Sequence, residues 1–156
     1  MDERVINGKI CPYCDCETKL VRGDYIYPIV KNGVRPKYVD KFYYVCILNK
    51  NHYVGTYGDN KRSLGRVADF ELRKLKNQGH NIFDPLWKDE DYFKSRKEAY
   101  EWLSKKMKLP LELTHFGMFN NEQCKMAVKY CNELRQNKKR NFIKKVLSYL
   151  GKIIKL

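Results

Sequence analysis

A chain of 156 residues with 43% hydrophobic content, 12 Tyr, 7 Phe and 2 Trp suits one globular domain with or without a small appendage, and excludes intrinsic disorder. Its 32 Lys and Arg against 18 Asp and Glu leave a formal charge of +14, which points to a polyanionic partner, either nucleic acid or an anionic membrane surface. No run of about 18–20 apolar residues could span a bilayer, and Met1–Ile10 starts acidic without the apolar centre of a secretory signal, so the expected location is cytoplasmic.

The first third reads as strands and turns. Lys19–Ile29 is apolar and β-rich, with Gly23-Asp24 as a bend. Val30–Lys37 holds Asn32-Gly33, a hairpin signal. Tyr38–Ile47 and Tyr53–Tyr57 add two further strands, completing a small antiparallel sheet.

Helices follow. Across Arg66–Phe83, residues Ala68, Leu72, Leu75 and Ile82 fall on one helical face, and Asp84-Pro85 ends or kinks that helix. Ser95–Glu98 is a capping box opening a helix to about Met107, which buries Ala99, Trp102, Leu103 and Met107. Asn120–Gln123 is a second box, before a helix with Cys124, Ala127, Val128, Cys131 and Leu134 on one face. The seven-residue spacing of Cys124 and Cys131 suits a core face better than a second metal site. Last comes a basic amphipathic helix, in which Phe142, Ile143, Val146, Leu147, Leu150, Ile153 and Ile154 lie opposite Lys144, Lys145, Lys152 and Lys155. Docking on the body is its expected fate, ahead of a membrane surface. The predicted fold class is α+β: a zinc-ribbon-like β subdomain over 1–60, a helical subdomain packed on it over 61–136, and a basic C-terminal helix or tail over 137–156.

Six cysteines in a reducing compartment serve metal binding sooner than disulfides. Cys11-Pro12-Tyr13-Cys14 is a C-x2-C knuckle, a spacing that turns two thiolates onto one cation. Cys46 and His52, five residues apart between two predicted strands, are the best second pair, and the intervening 31 residues hold the hairpin that returns the chain to the metal. Cys16 and His80 are substitutes for the fourth donor. Four protein donors saturate zinc, so the expected ion is single and structural; a catalytic zinc keeps one position open.

From Cys11 to about Cys131 the chain resembles an uncharacterised zinc-finger-containing family of bacteria and phages. The matching stretches are CPYC, YVGT followed by LGRVADFELRKL, then HNIFDPLW, SRKEAYEWL and HFGMFNNEQC. The resemblance implies a zinc-binding amino-terminal part joined to a helical part, and it brings no activity with it. The family pairs its first cysteines with a second cysteine pair just before YVG; here CILNKNHYVG keeps Cys46 and offers His52.

The remaining chemistry is electrostatic. Lys61, Arg62 and Arg66 follow the YVGTYG strand. Arg73, Lys74 and Lys76 continue along the next helix, with Arg66 and Arg73 seven apart on one face, and Lys138, Lys139 and Arg140 open the tail. Of the +14, eight charges lie in residues 134–156, which contain no Asp or Glu. Cations beside exposed tyrosines such as Tyr53 or Tyr57 suit phosphates and stacked bases. The expected function is a non-enzymatic zinc module binding nucleic acid or a nucleic-acid-bound protein. Alternatives are a phage-encoded interaction protein acting on a host nucleic-acid enzyme, and a nuclease using His80 and His115, which with Asp84 are the acid–base candidates. No phosphate-binding GxxxxGK[ST], GxSxG or HExxH motif is present.

Overall fold

A computed structural model describes residues 2–27, 37–58, 61–89 and 92–153. A single helical turn, α1 (Glu3–Ile6), leads into β1 (Ile10–Cys11), β2 (Cys16–Arg22), β3 (Phe42–Cys46) and β4 (Tyr53–Gly55), each antiparallel to the next in the order β1-β2-β3-β4. Helices α2 (Phe70–Phe83), α3 (Pro85–Lys88), α4 (Arg96–Met107) and α5 (Asn121–Ile153) complete the chain. The α+β reading holds. The strands are shorter than their apolar runs, because Gly23–Tyr25 coils into a 3-10 turn after β2. The hairpin signal at Asn32-Gly33 lies outside the described residues.

β3 is buried on both faces. Tyr44 and Cys46 join Cys11, Val54 and Val67 in a small core, while Tyr43 packs edge-on against Tyr27 and Tyr53 on the other side. The larger core is helical, with Leu72, Phe83, Leu86, Leu103, Phe116 and Phe119 all essentially inaccessible. Cys124 and Cys131 are buried within it, as their helical spacing predicts.

The helix expected from Arg66 begins only at Phe70. Residues 63–68 are drawn out beside the sheet instead: Ser63 pairs with Thr56 and Ala68 with Tyr53, and the Asp69 side chain then caps α2 by accepting from Leu72 N at 2.7 Å. Tertiary pairing overrides the apolar period. Both capping boxes form. Ser95 Oγ accepts from Glu98 N at 3.2 Å, while the Glu98 carboxylate reaches back to Lys94 N at 2.7 Å. Asn120 and Gln123 exchange side-chain and backbone bonds at 2.9 Å each way.

The basic helix expected near Phe142 is the far half of α5, which runs unbroken for 33 residues. No glycine or proline between 121 and 150 stops it. Its root is anchored by the buried Cys131 and by Arg135, which donates to the Ile82 carbonyl at 2.7 Å. From Gln136 to Leu150 every side chain is exposed, Phe142 by 68% and Leu147 by 62%. Apart from Lys138, which lies over the Tyr92 ring, the described side chains of this stretch stay exposed rather than docking on the body. No described helix is long and apolar enough to cross a membrane.

Sheet and helices meet at a backbone crossing. The Gly117 carbonyl accepts from Arg66 N at 3.1 Å and from Lys76 Nζ at 2.8 Å. Gly65 crosses so closely that a Cβ there would lie 2.1 Å from the Gly117 oxygen, and its φ of +147° is one that side chains rarely adopt. Gly65→Ala is expected to lower the unfolding free energy by about 2 kcal/mol or more, measured by urea denaturation; an unchanged midpoint would show that the crossing is slack.

Candidate metal centre

Cys11, Cys46 and His52 stand at or next to strand ends, and Cys14 stands in the turn between β1 and β2. Cys11 ends β1 opposite Cys16 at the start of β2, and the turn between them is closed by Asp15 N donating to the Cys11 carbonyl at 2.9 Å. Asp15 takes a φ of +48°, a left-handed conformation that Asp tolerates better than most residues. Cys46 ends β3 opposite Thr18. His52 precedes β4 and is folded back by two bonds: its N donates to the Asn49 carbonyl at 3.0 Å, and its own carbonyl accepts from Cys46 N at 2.9 Å.

The donor atoms of Cys11, Cys14, Cys46 and His52 all lie within 4.8 Å of one another. His52 Nδ1 is 3.6 Å from Cys11 Sγ and 3.5 Å from Cys14 Sγ. A zinc tetrahedron with Zn–S near 2.3 Å and Zn–N near 2.0–2.1 Å has an S–N edge of about 3.6 Å, so these separations suit a zinc ion. The other ring nitrogen, Nε2, is 3.3 Å from the Asn49 amide, which leaves Nδ1 for the sulfurs. Cys16 Sγ lies 3.4 Å from Cys46 Sγ but outside the quartet, and His80 lies elsewhere.

The two knuckles treat their sulfurs alike. Tyr13 and Cys14 point backbone N–H groups at Cys11, and Leu48 and Asn49 do the same for Cys46. Asn49 thus stands where the second cysteine of a C-x2-C would stand, and His52 supplies the donor three residues later. Burial pushes the Cys11 thiol up to about 12 against the help of its N–H groups. Cys14 and Cys16 are raised as well, by burial and then by the Cys46 thiol. At Cys46 burial also raises the pKa, but Cys16 and the two N–H groups outweigh it, and the net shift is downward. Packed thiols cannot all ionise without a counter-charge, and a divalent cation would provide one.

Tyr13 carries the site to the helices. Its ring lies 4.6 Å from the His52 ring, and its hydroxyl accepts from Asp69 N at 3.2 Å, at the residue that caps α2.

The cationic residues are divided among several roles. Lys61 lies over the Phe42 ring at 4.6 Å and Arg62 over Tyr57 at 4.6 Å. Arg73 donates to the Asn51 and Ala68 carbonyls and covers Tyr53 at 3.9 Å, so Tyr53 is half-buried rather than exposed as the sequence suggested. Lys74 is exposed on α2. On α5, Lys138 lies over Tyr92 at 4.1 Å, Arg140 donates to Asn137 at 2.6 Å, and Lys139 is exposed. Because Arg66 precedes α2, it does not share a helical face with Arg73. Instead Arg66 and Arg73 line a cavity of about 420 Å³ between sheet and helices, together with Lys76, Arg96, His80 and His115. His80 pairs with Asp84 at 3.3 Å. Lys76 belongs to the basic run that the sequence shows, but sequence reasoning missed Arg96 and Tyr100 as cavity residues, since only the packing of α2, α4 and the sheet brings them together.

Zinc loading is expected at one equivalent in Cys16→Ser and to be lost in Cys46→Ser, read by elemental analysis; loading retained in Cys46→Ser would remove that donor from the site. Ligating thiols must shed their protons, so affinity should fall as pH falls, by up to about a thousandfold per unit if three thiols deprotonate. Chelator competition at several pH values measures this slope.

No curated protein and no solved structure matches the chain significantly. The model of a zinc-finger-containing domain matches residues 7–134, a span that includes all four clustered donors, the sheet, and α2 to α4, and that ends inside α5. With three thiols and an imidazole gathered at the strand ends and the turn between β1 and β2, the chain is a zinc-binding module and belongs to this zinc-finger-containing domain family.

Proposed function

We propose that the chain is a non-enzymatic module, ordered by one zinc ion on Cys11, Cys14, Cys46 and His52, that binds nucleic acid or a nucleoprotein complex through its basic faces. Four protein donors leave no position for a reacting water, which supports a structural ion. The observation that carries the binding reading is α5. Beyond Glu133 it bears Arg135, Lys138, Lys139, Arg140, Lys144 and Lys145 with no acidic residue, on a rod whose side chains are exposed from Gln136 to Leu150. At 1.5 Å per residue this stretch extends about 20 Å, enough to follow several phosphates. The exposed apolar stripe at Phe142, Val146 and Leu150 suits a protein already seated on the nucleic acid.

Titration of labelled single-stranded DNA and RNA over a range of salt should give a linear fall of log affinity with log salt. Replacing Lys138, Lys139 and Arg140 together by Ala should reduce that slope by about 2, at roughly 0.7 per phosphate contact on a single strand. Affinity insensitive to salt would dismiss the reading.

One observation favours a second reading, a histidine-dependent nuclease: His80, oriented by Asp84, and His115 line the same basic cavity. It requires strand cleavage by the purified protein, abolished in both His80→Ala and His115→Ala with folding intact; cleavage that survives either change rejects it.

A further inference from the structure

The cavity between sheet and helices has a character of its own. Arg66, Arg73, Lys76 and Arg96 all line it, and among the described residues no carboxylate does. Two of these cations are committed to the protein: Arg73 holds the Asn51 and Ala68 carbonyls, and Lys76 holds the Gly117 carbonyl at 2.8 Å and the Arg66 carbonyl at 3.4 Å. They supply fixed positive charge. Burial lowers the Lys76 ammonium to about 8, and Arg66 and Arg73 add to the shift. Burial likewise lowers His115, helped by Lys76, Arg96 and His80.

Against this charge stand two donors with nothing to bond. Arg66 Nε is buried without a hydrogen-bond partner, and so is the hydroxyl of Tyr100, a residue only 9% exposed whose ring lies 5.3 Å from the Arg96 guanidinium. Native structures rarely leave such groups unpaired, because each forfeits its hydration for no return. Both belong to residues lining this one cavity. Apart from Asn77 and two glycines, the rest of the lining is aromatic or aliphatic, including Tyr57, Phe116, Val54 and Leu64. A volume of about 420 Å³ is that of a small-molecule site, too small for a duplex.

We infer that this cavity binds a nucleoside monophosphate, either a free mononucleotide or the phosphorylated 5′ end of a strand, with the phosphate at Arg66, Arg96 and the Tyr100 hydroxyl and the nucleoside against the aromatic wall. An acceptor-only dianion satisfies both orphan donors and offsets cations that no lining carboxylate neutralises, and a base gives the aromatic side chains a stacking partner. For the strand end the inference rests on the nucleic-acid reading above; for the free nucleotide it does not.

The zinc-loaded full chain is titrated calorimetrically with adenosine monophosphate, adenosine and inorganic phosphate, and by anisotropy with a short oligonucleotide bearing 5′-phosphate or 5′-hydroxyl. The monophosphate is expected to bind at least tenfold tighter than adenosine and tighter than phosphate alone. Tyr100→Phe deletes only an unpartnered hydroxyl, so its melting temperature should hold or rise while nucleotide affinity falls roughly tenfold. Arg66→Gln should weaken binding further. A preference for the 5′-phosphate oligonucleotide assigns the site to strand ends, and binding of the mononucleotide without that preference assigns it to free nucleotide. Equal affinity for adenosine and its monophosphate, or undiminished binding by a folded Tyr100→Phe, overturns the inference. Salt-dependent binding of the 5′-hydroxyl strand with no nucleotide binding would sink the cavity site and leave the α5 reading standing; nucleotide binding without any strand binding would do the reverse.

Discussion

The convergence of three sulfurs and one imidazole is the constraint on which the amino-terminal half depends. Its strands have two, seven, five and three residues, and its core on the metal side is the cluster of Cys11, Tyr44, Cys46, Val54 and Val67. A sheet of that size buries too little apolar surface to stand alone in water. Two of its five core residues are themselves donors, so the metal would join β1, β3 and the approach to β4 at the point where hydrophobic packing is thinnest.

From that point order passes to the helices by contact. Tyr13 links the first knuckle to the cap of α2, the extended residues 63–68 pair with the sheet, and Lys76 closes the seam from the helical side. The seam is polar. Its carbonyls are taken by Arg66 N, Arg73 and Lys76, and this use of cations as structural donors is what concentrates positive charge in the cavity between the two parts. Binding chemistry and architecture share the same side chains there.

Much of this was legible in the sequence. The C-x2-C knuckle, Cys46 and His52 come together as their placement between predicted strands requires, and the two capping boxes start α4 and α5 where Ser95 and Asn120 stand. The exceptions have physical causes. Arg66–Ala68 read as helix because Ala68 fits the apolar period, yet β4 needed a partner for its free edge. The exposed half of α5 was expected to dock because it is amphipathic; amphipathicity says that a face seeks apolar company, not where that company lies. Arg96 and Tyr100 carried no local signal, and Lys76 only that of a basic run, since a cavity wall drawn from α2, α4 and the sheet has no period in any one segment. Asn49 was passed over because only the N–H groups aimed at Cys46 mark it as the empty fourth corner of a knuckle.

That substitution has an electrical consequence. A zinc ion on four thiolates carries a net charge of about −2, whereas three thiolates and a neutral imidazole leave about −1. Drawing its last donor from His52 instead of from position 49 would therefore halve the anionic character of the metal centre, close to Arg73, which bonds the Asn51 carbonyl one residue away. In a protein with a formal charge of +14, the staple that holds the sheet together would then subtract less from the field that an approaching polyanion meets.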